Sequence, residues 1–160
     1  MKRIKSLTDI QVKTLFNIIK NNMVEIGFEI KDNDFDIWST NLIKNLDNNN
    51  YYLYLIDSDN ETLGFFSLIE VDNDLTLCEL QLSNKLKRTK AIINIIKFIF
   101  ECENFTNKKE IFFSINKKNK MSSNTFKHLG AVLMYENENK CKYKLYREAV
   151  KTYLQKFKLN

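Results

Sequence analysis

The chain contains very few of the residues that usually mark turns. Its 160 residues include no proline and only three glycines, Gly27, Gly64 and Gly130. Turns must therefore be made by asparagine and aspartate, which tolerate left-handed backbone conformations and form side-chain turns. These residues cluster between apolar segments at Asn48-Asn49-Asn50, Asp57-Ser58-Asp59-Asn60, Asp72-Asn73-Asp74 and Asn137-Glu138-Asn139. The clusters predict short hairpin connections. Because no linker or internal repeat divides the chain, we expect one domain over residues 1–160.

Composition limits the classes of protein to which the chain can belong. Hydrophobic residues make up 44% and aromatic residues 12%, which is typical of a globular chain and too apolar for a disordered one. No segment approaches the roughly 20 apolar residues of a membrane span. We therefore expect no membrane association.

Cysteine usage and charge indicate the compartment and the partners. The cysteines Cys78, Cys102 and Cys141 are odd in number and lack C-x-x-C spacing, so we expect no disulfide framework, no metal site and a cytoplasmic location. The formal net charge of +5 suits an anionic ligand, a nucleic acid or an acidic protein partner without choosing among them.

Two helices are predicted before the first long strand. Thr8 and Gln11 form a capping-box pattern, apolar residues then recur at helical spacing, and Gly27 follows as a stop. A second helix is predicted to begin near Asp34, whose carboxylate favours a helix N-terminus. Trp38 lies on its apolar stripe.

The remaining elements follow from periodicity and turn signals. We predict strands at Tyr51–Ile56, Thr62–Ile69 and Leu75–Leu82, a buried helix at Ala91–Phe100, a strand at Glu110–Ile115, a helix at Lys120–Leu129, a hairpin of Val132–Glu136 with Lys140–Tyr146, and a helical extension at about 148–158. The order ααβββαβαββα predicts an α+β fold in which helices flank a mixed, mostly antiparallel sheet. The last helix is expected either to cover a sheet edge or to form a contact in a homodimer.

The third long strand changes character along its length. Period-two spacing places Leu75, Leu77, Glu79 and Gln81 on one face. That face is apolar at its start and polar at its end. We therefore expect the far end of the strand to leave the core and to border a cleft.

A basic turn, Lys85-Leu86-Lys87-Arg88-Thr89-Lys90, joins this strand to the buried helix. The N-terminus of a helix presents unpaired N–H groups and the positive end of the helix dipole, which together bind phosphates. A cofactor that carries a pyrophosphate fits this turn. A solvated basic turn on a basic protein is the alternative.

The segment from Leu82 to Ile96 resembles the strand-loop-helix of the GNAT superfamily of acyl-CoA-dependent N-acetyltransferases. In that family the motif Arg/Gln-x-x-Gly-x-Gly/Ala holds the CoA pyrophosphate. The best register places Lys87 at the Arg/Gln position, with Lys90 and Ile92 at the two small-residue positions. The resemblance implies that acetyl-CoA contacts Leu80, Leu82, Lys87, Arg88, Thr89, Lys90, Ala91 and Ile92.

A second segment supports the same resemblance. Asn119 to Gly130 is similar to the family pattern Asn-x-x-Ala-x-x-x-Tyr-x-x-x-Gly. The resemblance implies that Asn119, Ser122 and Phe126 lie along the cofactor. Phe126 stands where the family often has a tyrosine that acts as general acid.

The resemblance also implies a reaction and two catalytic residues. An amine of an unidentified small-molecule or protein acceptor would attack acetyl-CoA, with Glu79 as general base and Gln81 orienting water or substrate. The missing glycines, Phe126 and the positive charge leave an alternative open. In this alternative, the chain is a catalytically degenerate protein of the same fold that binds a protein or a nucleic acid.

Overall fold

The elements in the computed structural model, which describes residues 1–31, 33–87 and 89–158, follow the predicted order with two additions. The α-helices are α1 (Asp9–Glu25), α2 (Asp34–Leu46), α3 (Ala91–Glu101), α4 (Lys120–His128) and α5 (Arg147–Lys158). The strands are β1 (Lys2–Ile4), β2 (Tyr51–Ser58), β3 (Glu61–Val71), β4 (Asp74–Leu82), β5 (Glu110–Asn116), β6 (Val132–Glu136) and β7 (Lys140–Tyr146). The additions are β1 and a 3-10 helix at Glu103–Phe105. The α+β fold class is confirmed.

The chain forms two compact units. The first consists of Met1–Glu70 and Leu77–Lys87, and the second consists of Val71–Thr76 with the described residues from Thr89 onward. Each unit contains its own helices and strands. The prediction of one domain over the whole chain stays a prediction.

In the first unit, neighbouring strands follow the order β1-β2-β3-β4. β1 pairs antiparallel with Leu53–Leu55 of β2, and β2 pairs antiparallel with β3. α1 begins at the predicted cap, because the Thr8 side chain accepts from the Gln11 N–H and the Gln11 side chain accepts from the Thr8 N–H. It ends before Gly27, whose φ is +79°. Both predicted ends of α1 are confirmed.

The core of the first unit lies between its two helices and its strands. The buried side chains come from α1, α2 and the inner face of β2 and β3, and they are Leu15, Phe16, Ile19, Leu42, Tyr51, Leu53, Leu55 and Phe65. Trp38 of α2 packs at the edge of this cluster, with its ring centroid 5.6 Å from that of Phe16 and 6.2 Å from that of Phe65.

In the second unit, β7 lies between β5 and β6 and pairs antiparallel with both. α3 buries Ile95, Ile96, Ile99 and Phe100. α5 packs against α3 and β7. The predicted extension is thus part of the packing of this unit, and its role in a homodimer stays a prediction.

Two basic side chains secure the loops of the second unit. Arg147 donates to the carbonyl oxygens of Phe100, Phe105 and Lys108. Lys108 is only 5% exposed, and its Nζ donates to the backbone carbonyl and the Oδ1 of Asn73, at 2.8 and 2.7 Å. These bonds satisfy carbonyl groups that the end of α3 and the β3–β4 turn leave unpaired.

Candidate active site

β4 contains a β-bulge that changes which side chains share a face. The two-residue turn Asp72-Asn73 places Val71 opposite Asp74. At the other end of the pair, the Ser83 N–H donates to the Leu63 carbonyl at 2.7 Å. β4 therefore has one residue more than β3 between these two points, which defines a β-bulge.

The bulge lies at Cys78. Cys78 and Glu79 are consecutive in sequence, yet both line one cavity and both side chains lie close enough to Tyr51 to raise its pKa. Strict alternation in a regular strand would place the two side chains on opposite faces. The predicted common face of Leu75, Leu77, Glu79 and Gln81 is therefore wrong, because the extra residue shifts the alternation. Leu75 and Leu77 share a face with Leu80 and Leu82, while Glu79 and Gln81 face the helices of the first unit.

Glu79 is held by the second helix. The Trp38 Nε1–H donates to Glu79 Oε1 at 3.1 Å, and the carboxylate is partly buried. Burial raises the pKa of the Glu79 carboxyl above its ordinary value, and the hydrogen bond from Trp38 offsets part of this increase. A carboxylate in this setting is suited to accept a proton.

Gln81 is held by the first helix. Its Oε1 accepts from the Nδ2 of Asn22 at 2.8 Å. The structure thus brings the two predicted catalytic residues together on one face of β4 and fixes each through a different helix.

A cavity of about 240 Å³ lies beside Glu79 in the first unit. We call it the α2 cavity. It is lined by residues of α2, β2, β3 and β4, namely Trp38, Asn41, Leu42, Asn45, Tyr51, Ser67, Ile69, Cys78 and Glu79. The cavity touches β4 at Cys78 and Glu79, and the cleft predicted at the far end of the strand stays a prediction.

The basic turn is tied to acidic residues within the first unit. Lys85 forms an ion pair with Glu61, and Lys87 forms one with Glu25 at the end of α1. The two lysines differ in accessibility, because the side chain of Lys85 is 65% exposed and that of Lys87 is 14% exposed. Lys87, the predicted pyrophosphate ligand, is therefore a largely covered cation with a carboxylate partner.

The start of α3 retains the features of an anion site. Lys90 is the N-cap residue, and its side chain makes no capping hydrogen bond. The Thr89 hydroxyl accepts from the Ala91 N–H at 3.1 Å, while Ile92 follows in the first turn. The other N–H groups of the first turn, together with the exposed Lys90, suit a phosphate group. Arg88 lies outside the described residues.

Leu80 and Leu82 are placed by the close approach of β3 and β4. A Cβ on Gly64 would lie 2.6 Å from the Gln81 carbonyl oxygen and 3.0 Å from a methyl carbon of Leu82. Leu82 is buried and Leu80 is half-buried. Both side chains point away from the face that carries Glu79, so only their backbone is available near that residue.

The predicted residues of α4 are positioned within the second unit. Asn119 is the N-cap, and its Oδ1 accepts from the Ser122 N–H at 3.0 Å. Phe126 is 3% exposed, and its ring centroid lies 4.3 Å from that of Phe113. Asn119 thus caps α4 and Phe126 is a core side chain, and their contact with a cofactor stays a prediction.

Sequence reasoning missed the partners of Glu79 and most of the α2 cavity. Trp38 was recognised as part of an apolar stripe, but its hydrogen bond to Glu79 joins residues 41 positions apart. Ser67 carries a signal that could have been used, since it is a lone hydroxyl in the apolar run of β3. The leucines of β4 carry a second signal. They are two residues apart at 75 and 77 and at 80 and 82, but three residues apart between 77 and 80, as an extra residue in the strand requires.

Two absences concern only the part of the chain that the structure describes. It contains no group of three or more His, Cys, Asp and Glu side chains that could hold a metal ion. It also contains no helix long and apolar enough to cross a membrane.

Comparison with known proteins gives matches at the level of structure. Neither a protein-family model nor a curated sequence matches the chain significantly. The structure is similar to the PaiA N-acetyltransferase from Thermoplasma acidophilum in complex with coenzyme A, with TM-score 0.72, 13% identity, and coverage of 91% of this chain and 98% of that one.

Two further structures give the same result. One is an acetyltransferase of the GNAT family from Staphylococcus aureus, with TM-score 0.71, 15% identity, and coverage of 91% of this chain and 98% of that one. The other is the N-acetyltransferase PseH from Campylobacter jejuni in complex with acetyl coenzyme A, with TM-score 0.62, 14% identity, and coverage of 91% and 96%. The chain therefore has the fold of the GNAT acetyltransferases, as the sequence resemblance predicted.

Proposed function

We propose that the protein is an N-acetyltransferase that transfers the acetyl group of acetyl-CoA to an amine of an acceptor. The observation that carries the proposal is Glu79. This residue is a partly buried carboxylate of raised pKa, fixed by Trp38 beside a cavity. It occurs in a chain whose fold is that of acetyltransferases, two of which were solved with coenzyme A or acetyl coenzyme A.

Acetyl transfer requires a different role of Glu79 and of Gln81. Acetyl-CoA supplies a thioester, at whose carbonyl carbon the C–N bond forms while the C–S bond breaks. The thiolate gains the proton that the attacking amine nitrogen loses as it becomes an amide. Glu79 takes the proton that the acceptor ammonium must lose before its nitrogen can attack. A raised pKa makes Glu79 a stronger base at neutral pH. Gln81, fixed by Asn22, orients the acceptor or a bridging water.

The residues at the start of α3 support binding of the cosubstrate. The N–H groups in the first turn of α3 and the exposed Lys90 suit the pyrophosphate. The family resemblance adds Lys87, whose partner within the first unit is Glu25.

Two observations favour a binding protein without catalysis as the second candidate. Lys87 is already paired with Glu25, and Phe126 is buried and has no hydroxyl group to protonate a leaving thiolate. Such a protein would keep the fold without transferring an acetyl group.

Titration calorimetry and an acetylation assay distinguish the candidates. We expect acetyl-CoA to bind and a panel of amines to include a substrate. Glu79→Gln should lower kcat/KM by about 100-fold, the lower range for loss of a general base, with acetyl-CoA affinity unchanged. Glu29→Gln, at an exposed position, is the matched control. Absence of binding at millimolar acetyl-CoA would refute the enzyme proposal.

A further inference from the structure

The α2 cavity is small. Its volume of about 240 Å³ is below the range of about 300–1,000 Å³ for drug-sized ligands. A nucleotide-linked or peptide acceptor could place only its reactive end there. A small amine could enter whole.

The cavity has one acidic side chain and no basic one. Glu79 is the sole Asp or Glu among the lining residues, and none of them is Lys, Arg or His. Burial raises the pKa of Tyr51 to about 12, and burial together with the charge of Glu79 raises that of Cys78 to about 11. Both groups are therefore neutral at pH 7. A ligand with a phosphate or carboxylate would be repelled by Glu79 and would find no cation.

The cavity also contains neutral polar groups. Ser67 is 0% exposed. Its hydroxyl faces that of Tyr51 and lowers the pKa of Tyr51, yet Ser67 Oγ has no partner at full hydrogen-bond geometry within the described chain. Buried hydroxyl groups are normally satisfied. The amides of Asn41 and Asn45, one turn apart on α2, add further donors and acceptors.

The apolar walls are formed by one aromatic and two aliphatic side chains. The Trp38 ring is held by its hydrogen bond to Glu79 and by contacts with Phe16 and Phe65. Leu42 and Ile69 complete these walls. The ligand that complements the cavity thus has a short apolar stem with an amine at one end and a neutral polar group at the other.

We propose that the acceptor is a small primary amine that carries a neutral hydrogen-bonding group and no phosphate or carboxylate, and that it binds in the α2 cavity. The ammonium lies at Glu79 and gives up its proton to the carboxylate. The neutral polar group lies at Ser67 and Tyr51. This inference rests on the proposed function for its chemistry, but the binding step requires no acetyl-CoA.

Trp38 gives a direct readout, because it is the only tryptophan in the chain and it lines the cavity. The probes are 6-aminohexan-1-ol, whose size is about that of the cavity, and 6-aminohexanoate, which is of similar length but carries a carboxylate. With the full chain and no acetyl-CoA, we expect the amino alcohol to change the Trp38 fluorescence saturably. The amino acid should bind at least tenfold more weakly.

Two serine variants test the position of the ligand. Ser67→Val removes the hydroxyl and fills part of the cavity, so it should weaken binding of the amino alcohol at least tenfold. Ser83→Ala is the control, because the Ser83 hydroxyl is also buried and has no hydrogen-bond partner among the described residues, but it does not line the cavity. Circular dichroism confirms that both variants fold. If Ser67→Val folds and binds as the wild type does, or if both probes bind equally, the inference is wrong.

The two proposals fail in different ways. If Trp38 reports binding of the amino alcohol but no acetylation occurs, the cavity assignment holds and the enzyme proposal fails. If the protein acetylates amines but prefers those with a carboxylate or phosphate, the enzyme proposal holds and the cavity assignment fails.

Discussion

At Glu79, one additional residue in β4 and one hydrogen bond fix the position of a carboxylate. The bulge at Cys78 places Glu79 on the side of the helices, and the Trp38 N–H holds its Oε1 at 3.1 Å. Both features impose a cost, since a bulge interrupts the strand pairing and burial of a carboxylate opposes its charged form. A residue held against such costs is expected to serve function more than stability.

The first prediction at this scale concerns stability. Because burial raises the pKa of Glu79, the folded state favours the protonated carboxyl. That stabilising contribution is fully present below the unfolded pKa and is lost as pH rises through the folded pKa. Glu79→Gln keeps an acceptor for Trp38 without the charge. It should therefore be more stable than the wild type at pH 8 and equal to it at pH 3.5.

Urea unfolding at the two pH values provides the measurement. Glu29→Gln, on an exposed segment, should show no pH-dependent difference from the wild type. A Glu79→Gln protein that is less stable than the wild type at pH 8 would contradict the assigned burial penalty.

The second prediction concerns the pH dependence of the proposed activity. Trp38→Phe removes the hydrogen bond that lowers the pKa of Glu79, so the pKa should rise further. If Glu79 is the general base, the acidic limb of the kcat/KM profile should move to higher pH. A variant with a lower rate but an unshifted limb would show that Trp38 matters only for packing.

At the scale of elements, two tight turns show how the chain manages with little glycine. The β2–β3 turn has Asp59 and Asn60 at φ of 50° and 63°, and the β3–β4 turn has Asp72 and Asn73 at φ of 49° and 73°. Both turns therefore have the left-handed pair that tight hairpins prefer. They confirm that Asn and Asp replace glycine in the turns.

The two turns give a matched pair of variants. Asn60→Gly relieves the left-handed strain at an exposed position and should stabilise the protein by about 0.5 kcal/mol. Asn73→Gly relieves the same strain but removes the Oδ1 that accepts from buried Lys108. The bond from Lys108 to the backbone carbonyl of residue 73 is kept and only the second bond is lost, so we expect a net loss of about 1 kcal/mol, since a hydrogen bond from a charged group contributes roughly 1.5–3 kcal/mol. Thermal unfolding measures both, and equal effects would contradict the assigned role of Lys108.

The same scale shows what the sequence could predict. Helix caps and periodicity located most elements, because Thr8, Gly27 and the Asn/Asp turns act locally. β1 was missed because Lys2–Ile4 is too short to show a period, and the 3-10 helix was missed for the same reason. The face of β4 was wrong because a bulge depends on the relative length of two strands.

For the candidate site, the family resemblance supplied Glu79, which no local pattern distinguishes from an ordinary glutamate. Its surroundings could not be predicted. Trp38, Asn22 and Ser67 reach the site from three other elements, and only the folded chain brings them together.

At the scale of the whole molecule, ligand binding should increase the free energy of unfolding and therefore raise the Tm. A ligand at 100 times its Kd stabilises the folded state by about 2.7 kcal/mol, which corresponds to a rise in Tm of roughly 5–10 °C for a chain of this size. We expect acetyl-CoA to produce such a rise. Lys87→Met should reduce it.

Lys85→Met is the control for that experiment. Both lysines belong to the basic turn and both have a glutamate partner, but the family motif selects only Lys87. A wild-type shift with Lys85→Met and a smaller shift with Lys87→Met would support the predicted register. An equal reduction in both would indicate a diffuse effect of charge.

Because Cys78 is the extra residue of the bulge in β4, it can be deleted without disturbing the alternation of the other side chains in the strand. If Cys78 is omitted, the leucines at 75, 77, 80 and 82 occupy alternate positions without a gap, and Glu79 stays on the side that it now occupies. Deletion of Cys78 would therefore leave every other side chain of β4 on its present face and remove the bend that the bulge produces. The deletion would keep the Glu79 carboxylate and change only the direction in which its side chain points. No substitution at Glu79 can make that distinction.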